Sequence, residues 1–275
     1  MIFRLYTEHG ALNSKPVFDA FAAGLKNTNH SVTETGVGDI AVIWSVLWCG
    51  RMLPNKQIYN DYISKGKPVV ILEVGVLARN ITWRIALNTL DNLIYSETSK
   101  LCIDQTLWRD TGTNILICGQ NEQSQLWEDM PPMRHWVSSI IEQVRLRSDR
   151  PIIVRPHPRS SLKLFNHLDY KNVTIQVPRR ILGSYDSFDL SFVDVHTVIN
   201  HSSGPGVLAA LYGTPVITSP QSLAYPMSKN IDDIESPTTI DREFWLRSVA
   251  CSEHTLDEIS NGSFLMHLTS KLQML

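Results

Sequence analysis

Apolar positions in this chain fall into two alternating kinds of stretch. Short runs rich in Val, Ile and Leu stop abruptly on polar, Gly or Pro residues: Ile2–Thr7, Asp39–Leu47 (DIAVIWSVL), Pro68–Leu72 (PVVIL), Asn114–Cys118, Pro151–Val154, Asn172–Val177, Thr197–Asn200 and Thr214–Thr218. These predict buried strands. Between them, apolar residues recur at helical spacing. Ser14 is an N-cap with Pro16 in the first turn, and Val17, Phe18, Phe21, Ala22 and Leu25 share one face. Further helices are predicted over Asn55–Lys65, over Arg134–Ser148 (Trp136, Ile140, Ile141 and Val144 inward), over Asp189–His196 and over Val207–Tyr212. Terminal helices follow over Asp241–Cys251, His254–Ile259 and Ser263–Leu272. Strands alternating with helices at this spacing predict an α/β protein with parallel sheets covered by helices on both faces. Around Leu101–Thr113 the chain turns polar and Gly-marked, which sets the predicted divisions at 1–110, 111–250 and a tail, 251–275.

Composition changes this picture little. The 275 residues are 43% hydrophobic and 19% charged with a formal net charge of −2, ordinary for a globular chain with a sizeable core. Nothing global demands a nucleic-acid or membrane partner. The charge is unevenly placed: from Arg145 to Arg180 nine Lys/Arg face two Asp/Glu, and from Ile181 onward four face eleven. Cys49, Cys102, Cys118 and Cys251 lack metal or redox spacing and read as reduced, mostly buried thiols. Arg4 interrupts the first apolar run, and no small-residue cleavage site follows it. A leader is therefore not expected, no apolar run approaches a membrane span, and a cytoplasmic protein is.

The chemistry concentrates between Pro151 and Pro220. One strand breaks into Arg155-Pro156-His157-Pro158-Arg159; a later one breaks into His201-Ser202-Ser203-Gly204-Pro205-Gly206 and a helix. The first offers two guanidinia and an imidazole, the second two hydroxyls and the free N–H groups that open a helix. In open α/β sheets ligands sit beyond such carboxyl strand ends. Together they suit a diphosphate. The bland alternatives are a rigid basic turn and a helix cap, with Ser203 as N-cap and Pro205 in the first turn.

A His-Pro motif after one strand and a Ser-Ser motif opening a helix after a later one resemble the nucleotide-binding half of GT-B glycosyltransferases. The variant is the one shared by bacterial sialyltransferases, capsule-polysaccharide transferases and polyglycerolphosphate transferases. The resemblance is specific over about residues 150–220. It implies a GT-B-like fold of two Rossmann-like domains facing a cleft, the first binding acceptor, the second binding nucleotide-sugar, and a C-terminal tail packing back on the first. It implies donor contacts from His157, Ser202 and Ser203, with Arg155, Arg159, Arg179 and Gly204 beside them, and a base-proximal loop at Pro178, Arg179 and Arg180. No cofactor is implied beyond the UDP- or CMP-linked donor, and no Asp-x-Asp metal motif appears, in keeping with a metal-independent reaction.

Glycosyl transfer also needs a base for the acceptor hydroxyl. Glu73, after PVVIL and before Gly75, is one candidate, and His9, after the first strand, is the other. Glu73 also reads as a carboxylate capping a following helix or pairing with Arg79. Glu73-Val74-Gly75 departs from the acidic-acidic-Gly base motif of sialyltransferases, so the sugar and the stereochemical outcome stay open. Glu8, Arg51, Arg79, Trp83 and Arg84 are the acceptor candidates, by charge and stacking, against a reading of Arg79–Asn88 as helix packing with solvated arginines. The segments EVG, WR, ICGQ, RPHPR and REFWL are similar to proteins of tailed phages, some of which glycosylate hydroxymethylated cytosine in DNA. That resemblance ranks double-stranded DNA slightly ahead of a glycan as acceptor, exposed tryptophans holding the flipped base. The alternatives are glycan extension, phosphoglycerol transfer from a CDP-linked donor, and a non-catalytic nucleotide-sugar or nucleic-acid binding module.

Overall fold

A computed structural model describes the whole chain except Asn27, Thr98, Lys100, Cys102, Gln105, Ser161, Ser184, Tyr185 and Asp186. The expectation for the Cys102 thiol lies outside the described residues. In chain order the elements are β1 (Ile2–Leu5), α1 (Lys15–Leu25), β2 (Ser31–Thr33), β3 (Ile40–Trp44), α2 (Leu53–Ser64), β4 (Val69–Val74) and β5 (Thr82–Leu87). Then come β6 (Asn114–Cys118), α3 (Met133–Arg145), β7 (Ile152–Arg155), β8 (Val173–Ile175), β9 (Val195–Asn200), α4 (Gly204–Leu211) and β10 (Val216–Ile217). The chain finishes with α5 (Glu243–Cys251), β11 (His254–Thr255), α6 (Leu256–Ser260) and α7 (Leu265–Gln273). It forms two compact Rossmann-like units. The first comprises Met1–Ile103, Gln123–Gln125 and Arg247–Leu275, and the second Asp104–Glu122 and Leu126–Leu246.

The first unit holds the sheet β11-β5-β4-β3-β1-β2. Its four strands β2, β1, β3 and β4 are parallel, and Ile40–Trp44 is buried at every position, as a strand covered on both faces must be. Phe3, Leu5, Val42, Trp44, Val70 and Leu72 meet Val17, Phe18, Phe21 and Leu25 of α1 in one core. The tail contributes to the same core through Ile259, Phe264 and Leu268, with Phe264 stacked on Phe21 at 4.9 Å between ring centroids. The stretch from Leu77 to Leu93 holds β5 and no helix. The link from β4 is too short for a crossover helix, so β5 returns antiparallel, and β11 adds antiparallel to it. His254 thus starts a strand, and the next helix begins only after Thr255, whose hydroxyl accepts from the Glu258 N–H while Glu258 reaches back to the Thr255 N–H.

The second unit holds a wholly parallel sheet, β10-β9-β6-β7-β8. From β6 the chain steps outward through β7 to β8, then returns to β9 on the other side of β6. The strand order therefore reverses at β6, the place where doubly wound sheets bind ligands. Asp189–His196 is not a helix. Asp189 and Ser191 side chains accept from the Ser191 and Val193 N–H groups, Asp194 adopts a left-handed φ of 57°, and β9 has begun by Val195. Short polar side chains here take the backbone bonds a helix needs.

Three arginines of the basic run close on their own unit. Arg147 pairs with Asp232, Arg150 with Glu235 at 2.9 Å, and Arg145 donates to the carbonyls of Ser148, Arg150, Lys171 and Asn172. Those three arginines are engaged by partners of their own unit. Among the described residues no helix is long and apolar enough to cross a membrane.

Candidate functional site

In the second unit, Asn200, Cys118 and Arg155 end β9, β6 and β7 in one row, since Cys118 is in register with both the others. Parallel partners in register share a face, so the three side chains stand on the face away from Val154, Ile117 and Ile199 and their core with α3. Arg155 is only 4% exposed. Its Nε and Nη2 donate to Gln176 Oε1, and Nη2 also donates to the Ser191 carbonyl at 2.8 Å. Nη1 is buried with no partner. Arg155 lines a pocket of about 630 Å³ together with Ile175, Gln176, Val177, Pro178, Arg179, Asp189 and Ser191. Burial pushes the neighbouring Cys118 thiol up to about 11, Arg155's charge pulling weakly the other way.

Across β6 from β7, the end of β9 leads into the opening of α4. Ser203 is its N-cap and Pro205 is in its first turn, but the Ser203 hydroxyl makes no cap bond; Asn200 Nδ2 donates to Ser203 O and Oγ instead. Gly206 is required, because a Cβ there would sit 2.2 Å from Asn200 Oδ1. Ser202 has both donors engaged, its N–H and hydroxyl reaching Gln120 Oε1 at 3.1 and 3.0 Å. Gln120, just past β6, thus ties the Ser-Ser turn to the reversal point. After β7, the Arg159 N–H donates to His157 Nδ1 at 3.1 Å, which leaves the proton of a neutral ring on Nε2.

Of the donor candidates the pocket gathers Arg155 and Arg179; His157, Arg159, Ser202, Ser203 and Gly204 lie outside its lining. Gln176, Gln120 and Asn200 were missed by the sequence reading. Nothing in the sequence marks Gln176, whereas Gln120 and Asn200 both stand at predicted strand ends and shared that signal.

In the first unit, Glu73 lies inside β4. Ser45 Oγ donates to Glu73 Oε2 at 2.6 Å and the Val74 N–H to Oε1 at 2.8 Å, so each carboxylate oxygen is held. It caps no helix. Its cross-strand neighbour is Arg84, whose Nε donates to the Val74 carbonyl, and not Arg79. Ser45, also missed, follows β3 with a left-handed φ of 60°. His9 ends a 3₁₀ turn, Thr7–His9, and its carbonyl accepts from Asn55 Nδ2. Glu8 pairs with Arg4 at 3.0 Å. Arg51 and Arg79 are exposed. Trp83 is 6% exposed and Trp48 4%, both in the interior, which overturns the expectation of exposed tryptophans at an acceptor site. The reason is pleat: Trp83 shares the core face with Ile85, and Arg84 alone of the three points away. Among the described residues no group of His, Cys, Asp and Glu is arranged to hold a metal ion.

No family model and no curated protein matches the chain. Among solved structures it is similar to the KpsC β-Kdo 2,7-transferase of Thermosulfurimonas dismutans, at 14% identity and a TM-score of 0.47 over 98% of this chain and 99% of that one. It is also similar to the KpsC β-Kdo 2,4-transferase of the same organism, at 12% and 0.44 over 96% and 97%. At these identities and TM-scores neither likeness bears on what this chain binds or transfers.

Proposed function

We propose that the chain is a glycosyltransferase that moves a sugar from a UDP- or CMP-linked donor to a hydroxyl acceptor. The observation that carries the reading is Arg155, a buried strand-end arginine with an unpaired Nη1 that is among the residues lining a pocket of about 630 Å³. A buried donor left without a partner costs about 1–3 kcal/mol, more when charged, and a phosphate oxygen supplies what is missing. Arg155 and Arg179 hold the nucleotide, while His157, Arg159, Ser203 and the Gly204 amide opening α4 serve the departing phosphate. Ser202 takes part only by exchanging its bonds to Gln120. Glu73 is the proposed base in preference to His9, because Ser45 and Val74 orient its carboxylate. Arg51, Arg79 and Arg84 remain the acceptor candidates, and the acceptor is a glycan hydroxyl in preference to hydroxymethylated cytosine in DNA. With Trp48 and Trp83 in the interior, the aromatic platform proposed for a flipped base is gone.

The test is thermal unfolding in the presence of UDP, CMP, CDP and GDP. The nucleotide of the true donor at a hundredfold its dissociation constant adds about 2.7 kcal/mol. Arg155→Ala should weaken that nucleotide by about 1.5–3 kcal/mol. A response to CDP alone favours phosphoglycerol transfer, and binding without turnover favours a non-catalytic module. If none of the four stabilises the protein, the donor reading is wrong.

A further inference from the structure

Arg155 is buried, and among the described residues every group that bonds to its guanidinium or stacks on it is neutral. Gln176 Oε1 accepts from both Nε and Nη2, at 3.0 and 2.5 Å, the edge of the guanidinium fork that a carboxylate would grip in a bidentate pair. The Ser191 carbonyl takes Nη2 as well, and the Phe192 ring centroid lies 5.9 Å from the guanidinium carbon. The pocket does contain a carboxylate, Asp189, but it is exposed and accepts from the Ser191 N–H at 3.0 Å, capping its own loop. Among the described residues Arg155 has no ion pair.

Burying a cation without a counter-charge is costly, and a glutamate at position 176 would remove that cost with the same shape and the same two hydrogen bonds. A glutamine holds the fork equally well and leaves the positive charge uncancelled, with Nη1 the one nitrogen that meets nothing. We infer that Gln176 is a specificity-determining positioning residue. It fixes the orientation of Arg155 while keeping its charge available, so that the pocket selects a ligand carrying a phosphate over the same ligand without one. The inference rests on the nucleotide-sugar reading for the identity of that ligand, and on the neutral surroundings of Arg155 for its charge.

Calorimetric titration of the full chain with CMP, UDP, cytidine, uridine and pyrophosphate, in wild type, Gln176→Glu and Gln176→Met, tests it. In Gln176→Glu the new carboxylate pairs with Arg155. CMP and UDP should then weaken by about 10- to 150-fold, the value of one charge-assisted bond, with cytidine and uridine unchanged and Tm raised. Gln176→Met, which holds nothing, should lower Tm and weaken the nucleotides. A residue with a merely structural role would not move stability up and affinity down in the same isosteric variant. Equal weakening of nucleosides and nucleotides, or unchanged nucleotide affinity in Gln176→Glu, overturns the inference. Pyrophosphate separates it from the reading beneath it. If pyrophosphate binds wild type and not Gln176→Glu while no nucleotide binds, the charge argument stands and the nucleotide reading falls. If nothing binds wild type, both fall.

Discussion

Glu253, Arg242 and Arg155 are buried charges with three different surroundings. In the first unit Glu253 is 0% exposed, and its carboxylate accepts from the Val76 and Leu77 N–H groups and from the Thr82 hydroxyl. In the second unit Arg242 is 1% exposed, donates to the Ala210 and Leu211 carbonyls at the C-terminal end of α4, and lies 4.2 Å from the Trp108 ring centroid. Each has its counterpart built in: a pair of converging amides for the anion, the negative end of a helix for the cation. Arg155 has a comparable burial and no such completion. A buried charge whose bonds are all internal is architecture; the one left incomplete, Arg155, is the one proposed to meet a ligand.

Removing each charge should expose that difference. Glu253→Ala strands two amides and a hydroxyl in the interior and should cost about 3 kcal/mol or more in urea unfolding. Loss of less than about 1 kcal/mol would mean that water replaces the carboxylate and that the hairpin between β4 and β5 does not depend on it. The paired substitutions Arg242→Met and Arg155→Met are the sharper comparison. The first should destabilise by about 1–3 kcal/mol, because the last carbonyls of α4 lose their donors. The second should be neutral or stabilising by roughly 1 kcal/mol, since an apolar side chain replaces an uncompensated cation. If Arg155→Met destabilises as much as Arg242→Met, the two arginines are alike and Arg155 is a structural residue.

The smallest effect is on pH dependence. Burial lowers His254 and His201 below the ordinary imidazole value, against the opposite pull of carbonyl contacts at Ile94 and Leu126. Below about pH 6.5 the unfolded chain takes up protons that the folded chain resists, so stability should be full at neutral pH and fall as pH drops through that value. Urea midpoints compared at pH 7.5 and pH 5.5 show it, and His254→Gln should flatten the slope whatever it does to the absolute midpoint.

Much of this was open to reading in one dimension. A strand buried on both faces must be apolar at every position, so Ile40–Trp44 and residues 115–118 announce themselves, and a helix on a sheet must repeat its apolar residues every third or fourth position, as α1 does. Strand ends broken by Gly, Pro and hydroxyl residues mark where ligands go, which is why RPHPR and HSSGPG drew notice before any fold was known. What stayed hidden depends on which face a residue occupies and on who its neighbours are. Trp83 and Arg84 are adjacent in sequence and lie on opposite faces of β5, and only the antiparallel return of that strand decides which one is buried. Asp189–His196 has helical spacing, but its own short polar side chains capture the backbone first. The stretch from Arg145 to Arg180 reads as unbalanced basic charge, yet the acidic residues that pair with Arg147 and Arg150 lie 85 positions away in the chain. The state of Arg155 is the same kind of fact. The arginine is visible in the sequence; that a glutamine, and no carboxylate, stands against it is decided only when β7 and β8 lie side by side.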